Sequence, residues 1–86
     1  MIDRADTAAN VRDVLQQTLG VDASLFDDAT GLFGELPELD SMSVATLLTA
    51  LEDRLDIVIE DGEVDGEMLA SFGALVDYAH GKRTAR

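Results

Sequence analysis

The 86-residue chain has no cysteine and no tryptophan, one proline, one histidine and a single lysine, Lys82. Without cysteine it can form no disulfide framework, no thiolate metal site and no cysteine nucleophile. Basic residues are scarce, six against eighteen acidic ones, for a formal net charge of −12. A surface of that sign repels a nucleic-acid backbone, which excludes the nucleic-acid-binding classes. No long apolar run exists: the longest uncharged stretch, Ser41 to Leu51, falls short of the about 20 residues a spanning helix needs. Asp3, Arg4 and Asp6 stand where a secretion signal would be apolar. A cytoplasmic protein without membrane insertion is the expectation. Leu, Ile, Val and Phe make up 25 residues, or 29%, above the roughly 20% below which chains of high charge stay disordered. One small domain spanning 1–86 is expected, with an ordered core of about 5–80 and a mobile basic tail at 81–86.

The charge is unevenly spread. Residues 1–34 sum to −4, residues 35–67 to −10 with Arg54 as the only base, and residues 68–86 to +2. The middle third reads either as a solvated face or as a docking surface for basic partners, whose encounter such a field speeds.

Hydrophobic spacing predicts an all-α fold. Ala8, Val11, Leu15 and Leu19, widened by Val14, form a helical stripe over about 7–19, capped by Asp6 or Thr7 and stopped by Gly20. Val44, Leu48, Leu51 and Leu55 predict a second helix from Ser41 to about Leu55. A short helix near Glu63–Leu69 and a last one near Phe72–His80, capped by Ser71, complete a small four-helix bundle: three main helices and one short one. Residues 21–40 have no long period, but six large apolar residues predict a long loop packed on the core, with a helical turn near Ser24–Asp28. Ile57-Val58-Ile59 is a β-branched run with no partner strand, read as an extended linker that buries two or three side chains.

Most site chemistries fail on their spacing. A calcium loop begun at Asp56 puts Glu67 at its twelfth place, but Val58 takes a ligand place and Asp61 the glycine place. His80, near a helix C-terminus, suits the helix dipole, and nothing sets it beside a serine nucleophile. Gly31-Leu32-Phe33-Gly34 lacks the Lys-Ser or Lys-Thr of a phosphate-cradling loop. No catalytic residue and no metal ligand set is expected. What stands out is Asp40-Ser41-Met42, a polar pair that opens the clearest amphipathic helix. Either Asp40 or Ser41 can cap it, and Val44 occupies the place of a reciprocal Glu or Gln. A helix N-terminus also favours a phosphate electrostatically.

Leu39-Asp40-Ser41-Met42, followed by Leu47, Ala50-Leu51-Glu52-Asp53 and Ile57-Val58-Ile59, resembles the acyl carrier protein family, and Ser71-Phe72-Gly73 and Asp77-Tyr78 continue the likeness. The resemblance covers roughly residues 5–80. It implies a non-catalytic carrier whose Ser41 receives 4′-phosphopantetheine from coenzyme A through a phosphopantetheinyl transferase, with acyl groups held as thioesters on the arm. The reactive sulfur missing from the chain would then arrive on the prosthetic group. Asp40 matches the residue that helps the transferase organise Mg²⁺, and Met42 matches an exposed apolar partner contact. Ser43 and Thr46 stand where the family often has acids, and Glu38 where many members have Gly; the charge sits instead at Glu35 and Glu38 before the serine and at Glu52, Asp53, Glu60 and Asp61 after it. Glu38, Met42, Glu52, Asp53, Glu60 and Asp61 are therefore the expected contacts for basic acyl-loading and acyl-transfer enzymes, met by a monomer. The run Glu35–Met42 is also similar to carriers linked to bacterial exosortase or exopolysaccharide loci. A peptidyl or aminoacyl carrier, a cofactor-free acidic adaptor and a carrier-like enzyme subunit are the alternatives.

Overall fold

The computed structural model describes residues 2–85. Three α-helices carry the fold: α1 (Arg4–Leu19), α2 (Ser41–Leu55) and α3 (Phe72–Thr84). No strand forms among the described residues, and no helix is long and apolar enough to cross a membrane.

Each helix starts at a side-chain cap. Asp3 Oδ1 accepts from the Asp6 amide (3.0 Å), Asp40 Oδ1 from the Ser43 amide (2.9 Å) and Ser71 Oγ from the Ala74 amide (3.1 Å). These bonds satisfy amides that a helix leaves without intrahelical partners. Helix α1 therefore begins three residues earlier than its apolar stripe predicts, because Asp3 caps it and not Asp6 or Thr7. Gly20 ends it in the left-handed region (φ 71°). Asp56 ends α2 in the same region (φ 55°), a conformation that short polar residues tolerate.

Two expectations are corrected. The predicted short helix at Glu63–Leu69 is a single 3-10 turn, Asp61–Glu63, followed by turns. Two glycines, four acids and an internal capping bond favour a tight turn over a propagating helix. The last helix runs past its expected end near His80 into the basic tail: α3 continues through Gly81 to Thr84. Lys82 and Arg83 suit the negative end of the helix dipole and pair with Glu63 and Asp6 (2.9 and 3.0 Å).

The core joins all three helices and the first connection. Val11 and Leu15 of α1, Leu47 and Leu51 of α2, Leu75 and Val76 of α3 and Leu32 between α1 and α2 are all fully buried. Residues 28–33 run antiparallel beside 69–73, joined by Leu32 N–H to Ala70 O (3.1 Å), Phe33 N–H to Leu69 O (2.9 Å) and Phe72 N–H to Thr30 O (2.8 Å). A Cβ at Gly73 would lie 2.8 Å from the Asp28 carbonyl oxygen, so this approach requires glycine there. Arg12 fixes the same connection by donating to Phe26 O (2.9 Å) while its guanidinium lies 4.9 Å from the Phe72 ring centre. Leu32 and Leu39 are buried and Phe26 and Leu36 half-buried, whereas Leu25 and Phe33 face solvent, two exceptions to the expected packing. The Ser24–Asp28 stretch forms turns and no helix. Of the β-branched run, Ile57 is buried, Ile59 half-buried and Val58 exposed.

Candidate functional site

Helix α2 sets the site by its rotation. Leu47, Leu51 and Leu55 are its buried residues, which turns the helix so that Val44 and Leu48, members of the predicted stripe, are only half-buried. Those two side chains pack on the edge of the core and also line clefts.

Ser41 is the first residue of α2 and is exposed. Asp40, and not Ser41, supplies the cap, so the serine hydroxyl is not needed to hold the helix end. The Asp40 carboxyl lies below the usual carboxylate range, chiefly because the Ser43 amide and then the Ser43 side chain hydrogen-bond its ionised form. It is an anion throughout the neutral range.

Two open clefts meet at Ser41. One, of about 360 Å³, is lined by Phe33, Ser41, Val44, Val64, Asp65, Gly66 and Leu69. The other, of about 310 Å³, is lined by Ser41, Val44, Ala45, Leu48, Thr49, Glu52, Ile59, Asp61 and Val64. Val44 and Val64 border both. The walls are mainly apolar and the mouth acidic, a combination suited to an apolar chain tethered at a polar point. Phe33, Leu48, Ile59, Val64 and Leu69 are cleft residues that sequence reasoning did not single out. The signal was present for two of them, in the uncovered members of the apolar runs 57–59 and 44–48. Phe33 and Leu69 meet at the site through the folding of 28–33 onto 69–73.

The predicted contact residues separate into groups. Met42 is 83% exposed beside Ser41, and Glu38 is exposed just before the cap. Glu52 and Asp61 share the second cleft with Ser41. Glu52 is half-buried, and its Oε2 accepts from the Ile59 amide (2.8 Å), so one of its oxygens serves the linker. Asp53 is exposed on another side of α2, beside Ala45, Thr46, Thr49 and Ala50. There Thr46 and Thr49 turn their hydroxyls onto the carbonyls of Met42 and Ala45 (3.4 and 3.0 Å). The outer face of α2 between Met42 and Asp53 is therefore small and uncharged. Glu60 and Asp61 are exposed at the 3-10 turn. His80 lies elsewhere: its Nδ1 is 2.9 Å from the buried Thr7 hydroxyl. Among the described residues no group of three His, Cys, Asp or Glu is arranged to hold a metal ion.

The family model for the phosphopantetheine attachment site matches residues 9–79. The chain belongs to the phosphopantetheine-attachment family. A holo acyl carrier protein from Nitrosomonas europaea, solved in solution by NMR, is similar in structure, with a TM-score of 0.81 and 31% identity over 91% of this chain and 95% of that chain. No protein of curated function matches the chain. The chain is thus a carrier protein with a covalent 4′-phosphopantetheine arm. Its residues fit the group: an exposed serine hydroxyl released from capping stands at a helix N-terminus, where an anionic phosphodiester is favoured.

Proposed function

We propose that Ser41 is the attachment point and that this carrier protein presents acyl thioesters to successive enzymes from the mouth of the two clefts. The observation that carries the assignment is the division of labour at the start of α2. Asp40 holds the helix end, which leaves the Ser41 hydroxyl exposed and available to react. In the transfer from coenzyme A, a bond forms from Ser41 Oγ to the phosphorus that carries the pantetheine. The phosphorus–oxygen bond to adenosine 3′,5′-bisphosphate breaks, and the serine proton leaves to a base on the transferase. Ionised Asp40, next in the chain, is suited to help hold the divalent cation of that enzyme. The arm's terminal thiol supplies the thioester chemistry.

The chain's own residues do the rest. Met42 offers an exposed apolar contact, and methionine adapts to more than one partner surface. Glu38, Asp53, Glu60 and Asp61 form an acidic periphery that steers basic enzymes, and Glu52 adds its remaining oxygen. Val44, Leu48, Ile59 and Val64 line space for the start of an acyl chain. The core closes within one chain, which supports a monomer; in this reading the carrier acts in the cytoplasm and leaves catalysis to its partner enzymes.

The deciding experiment is intact mass after incubation with coenzyme A and a broad-specificity phosphopantetheinyl transferase. Wild type and Ser43→Ala gain one phosphopantetheine, and Ser41→Ala gains none. An unmodified wild type, with the transferase active on a control carrier, overturns the assignment.

A further inference from the structure

We infer that the last turn of α3 latches the wall of the clefts beside Ser41, with Lys82 and Glu63 as the positioning pair. The inference rests on the reading that Ser41 carries the arm. The wall is the segment 60–66: Asp61 and Val64 border one cleft, and Val64, Asp65 and Gly66 the other. Its backbone bonds are local. Glu63 N–H donates to Glu60 O (2.9 Å), Val64 N–H to Asp61 O (3.2 Å), and Met68 N–H to Asp65 Oδ1 (2.9 Å). Gly62 and Gly66 have open space where a Cβ would be, so packing does not restrain the backbone at either place.

Beside the packing of Val64 on the core, one ion pair ties this segment to a helix. Lys82 Nζ donates to both carboxylate oxygens of Glu63 (3.1 and 2.9 Å), and Glu63 Oε2 also accepts from the Glu60 amide (3.0 Å). One carboxylate thus closes the 3-10 turn and binds it to α3. Among the described residues no other residue of 60–68 forms an ion pair with another element. The inner side of the pair is dry: the buried Tyr78 hydroxyl sits against Glu63, and burial first, then that carboxylate, push it up to about 12. The latch is anchored from behind, because the next residue, Arg83, donates to Asp6 and to the buried Thr7 of α1 (3.0 Å each). This gives the extension of α3 past Gly81 a purpose. It carries the chain's only lysine to the one carboxylate that controls the wall.

Hydrogen exchange on the unmodified protein tests the latch without reference to Ser41. In Lys82→Gln and in Glu63→Gln, amides of 61–66 exchange about two- to fivefold faster, the factor expected for a partly exposed ion pair, while core amides of α1 and α2 keep their rates. Lys82→Arg, which restores a bidentate donor, keeps wild-type exchange. Unchanged exchange at 61–66, or equal acceleration across all three helices, overturns the latch. On protein loaded with a medium-chain acyl group, thioester hydrolysis rises about twofold in Lys82→Gln and not in Lys82→Arg. A loosened wall with an unchanged thioester lifetime overturns the link to the arm, while modification at Ser41 stands on its own mass measurement.

Discussion

The face built from α1 and α3 and the face built from α2 and the 60–67 segment handle charge in opposite ways. On the first, acids and bases are matched. Arg4 bridges Asp77 and Asp28 (2.7 and 3.1 Å), Arg83 pairs with Asp6, and Thr7, His80 and Arg83 share a partly buried hydrogen-bond network. On the second, Glu35, Glu38, Asp53, Glu60, Asp61 and Glu67 make no ion pair among the described residues. Arg54 does not neutralise them, because it reaches back to Asp13 of α1 (2.6 Å). Five of the six bases are described, and each is tied internally: four to carboxylates and Arg12 to a backbone carbonyl. The scarce cations are thus held in internal ties, of which only Lys82 reaches the second face, at Glu63, and the Ser41 face keeps a net negative field. The steering of basic partners follows from where the counterions are held more than from the total of −12.

The strongest way to break this contrast is to attack the matched face at its buried centre. Thr7 is fully buried, and its hydroxyl serves both His80 and Arg83. Thr7→Val keeps the shape and leaves two half-buried polar groups without that partner, a loss of about 2 kcal/mol. Tm falls by roughly 10 °C, while phosphopantetheine is still added to the folded protein. A Tm within about 2 °C of wild type would show that the network is ornamental and that apolar packing alone joins α1 to α3.

How much of this was legible beforehand differs between the same two faces. The three helices could be read because each buries a stripe at helical spacing, and every apolar residue predicted for the last one, from Phe72 to Ala79, is buried. The helix ends were less legible. Asp3 lies outside the stripe it caps, and Gly81 reads locally as a stop that the pairs of Lys82 and Arg83 override. The short helix expected at Glu63–Leu69 is replaced by a 3-10 turn at Asp61–Glu63 and further turns, and the Lys82–Glu63 contact that holds the 3-10 turn to α3 joins residues 19 apart, beyond the reach of local pattern. At the site, Asp40-Ser41-Met42 stood out as local chemistry, whereas the cleft walls are made by residues distant in sequence and had no local signature. Charge counting found the acidic third of the chain but could not show that Arg54 turns away from it.

A sharper test separates the two roles at the start of α2. Since Asp40 caps and Ser41 does not, Asp40→Ala lowers Tm by about 4 °C, and Ser41→Ala changes it by less than about 2 °C. Acid adds a second reading. A carboxyl held below its ordinary range stabilises the fold above that range, and this contribution is lost as pH falls through its lowered value. Asp40→Asn keeps a capping oxygen but cannot titrate, so the part of the acid-unfolding limb due to this group, below about pH 4, disappears. Equal Tm losses in Ser41→Ala and Asp40→Ala would return the cap to a shared role.

The smallest effect compares one acid from each face. Asp77 is an exposed partner of Arg4, whereas Asp61 has only like charges near it in the 60–67 run. Asp77→Asn removes an attraction and lowers Tm by about 2 °C at low salt, while Asp61→Asn removes a repulsion and raises it by a similar amount. Salt screens both. The two shifts therefore shrink together between about 20 and 300 mM sodium chloride, an interval over which wild type itself gains stability as its acidic face is screened. If both substitutions shifted Tm in the same direction, the two faces would not differ in the way the ion pairs indicate. The field around Ser41 would then be a property of the whole surface, and partner enzymes would meet the same charge from every side.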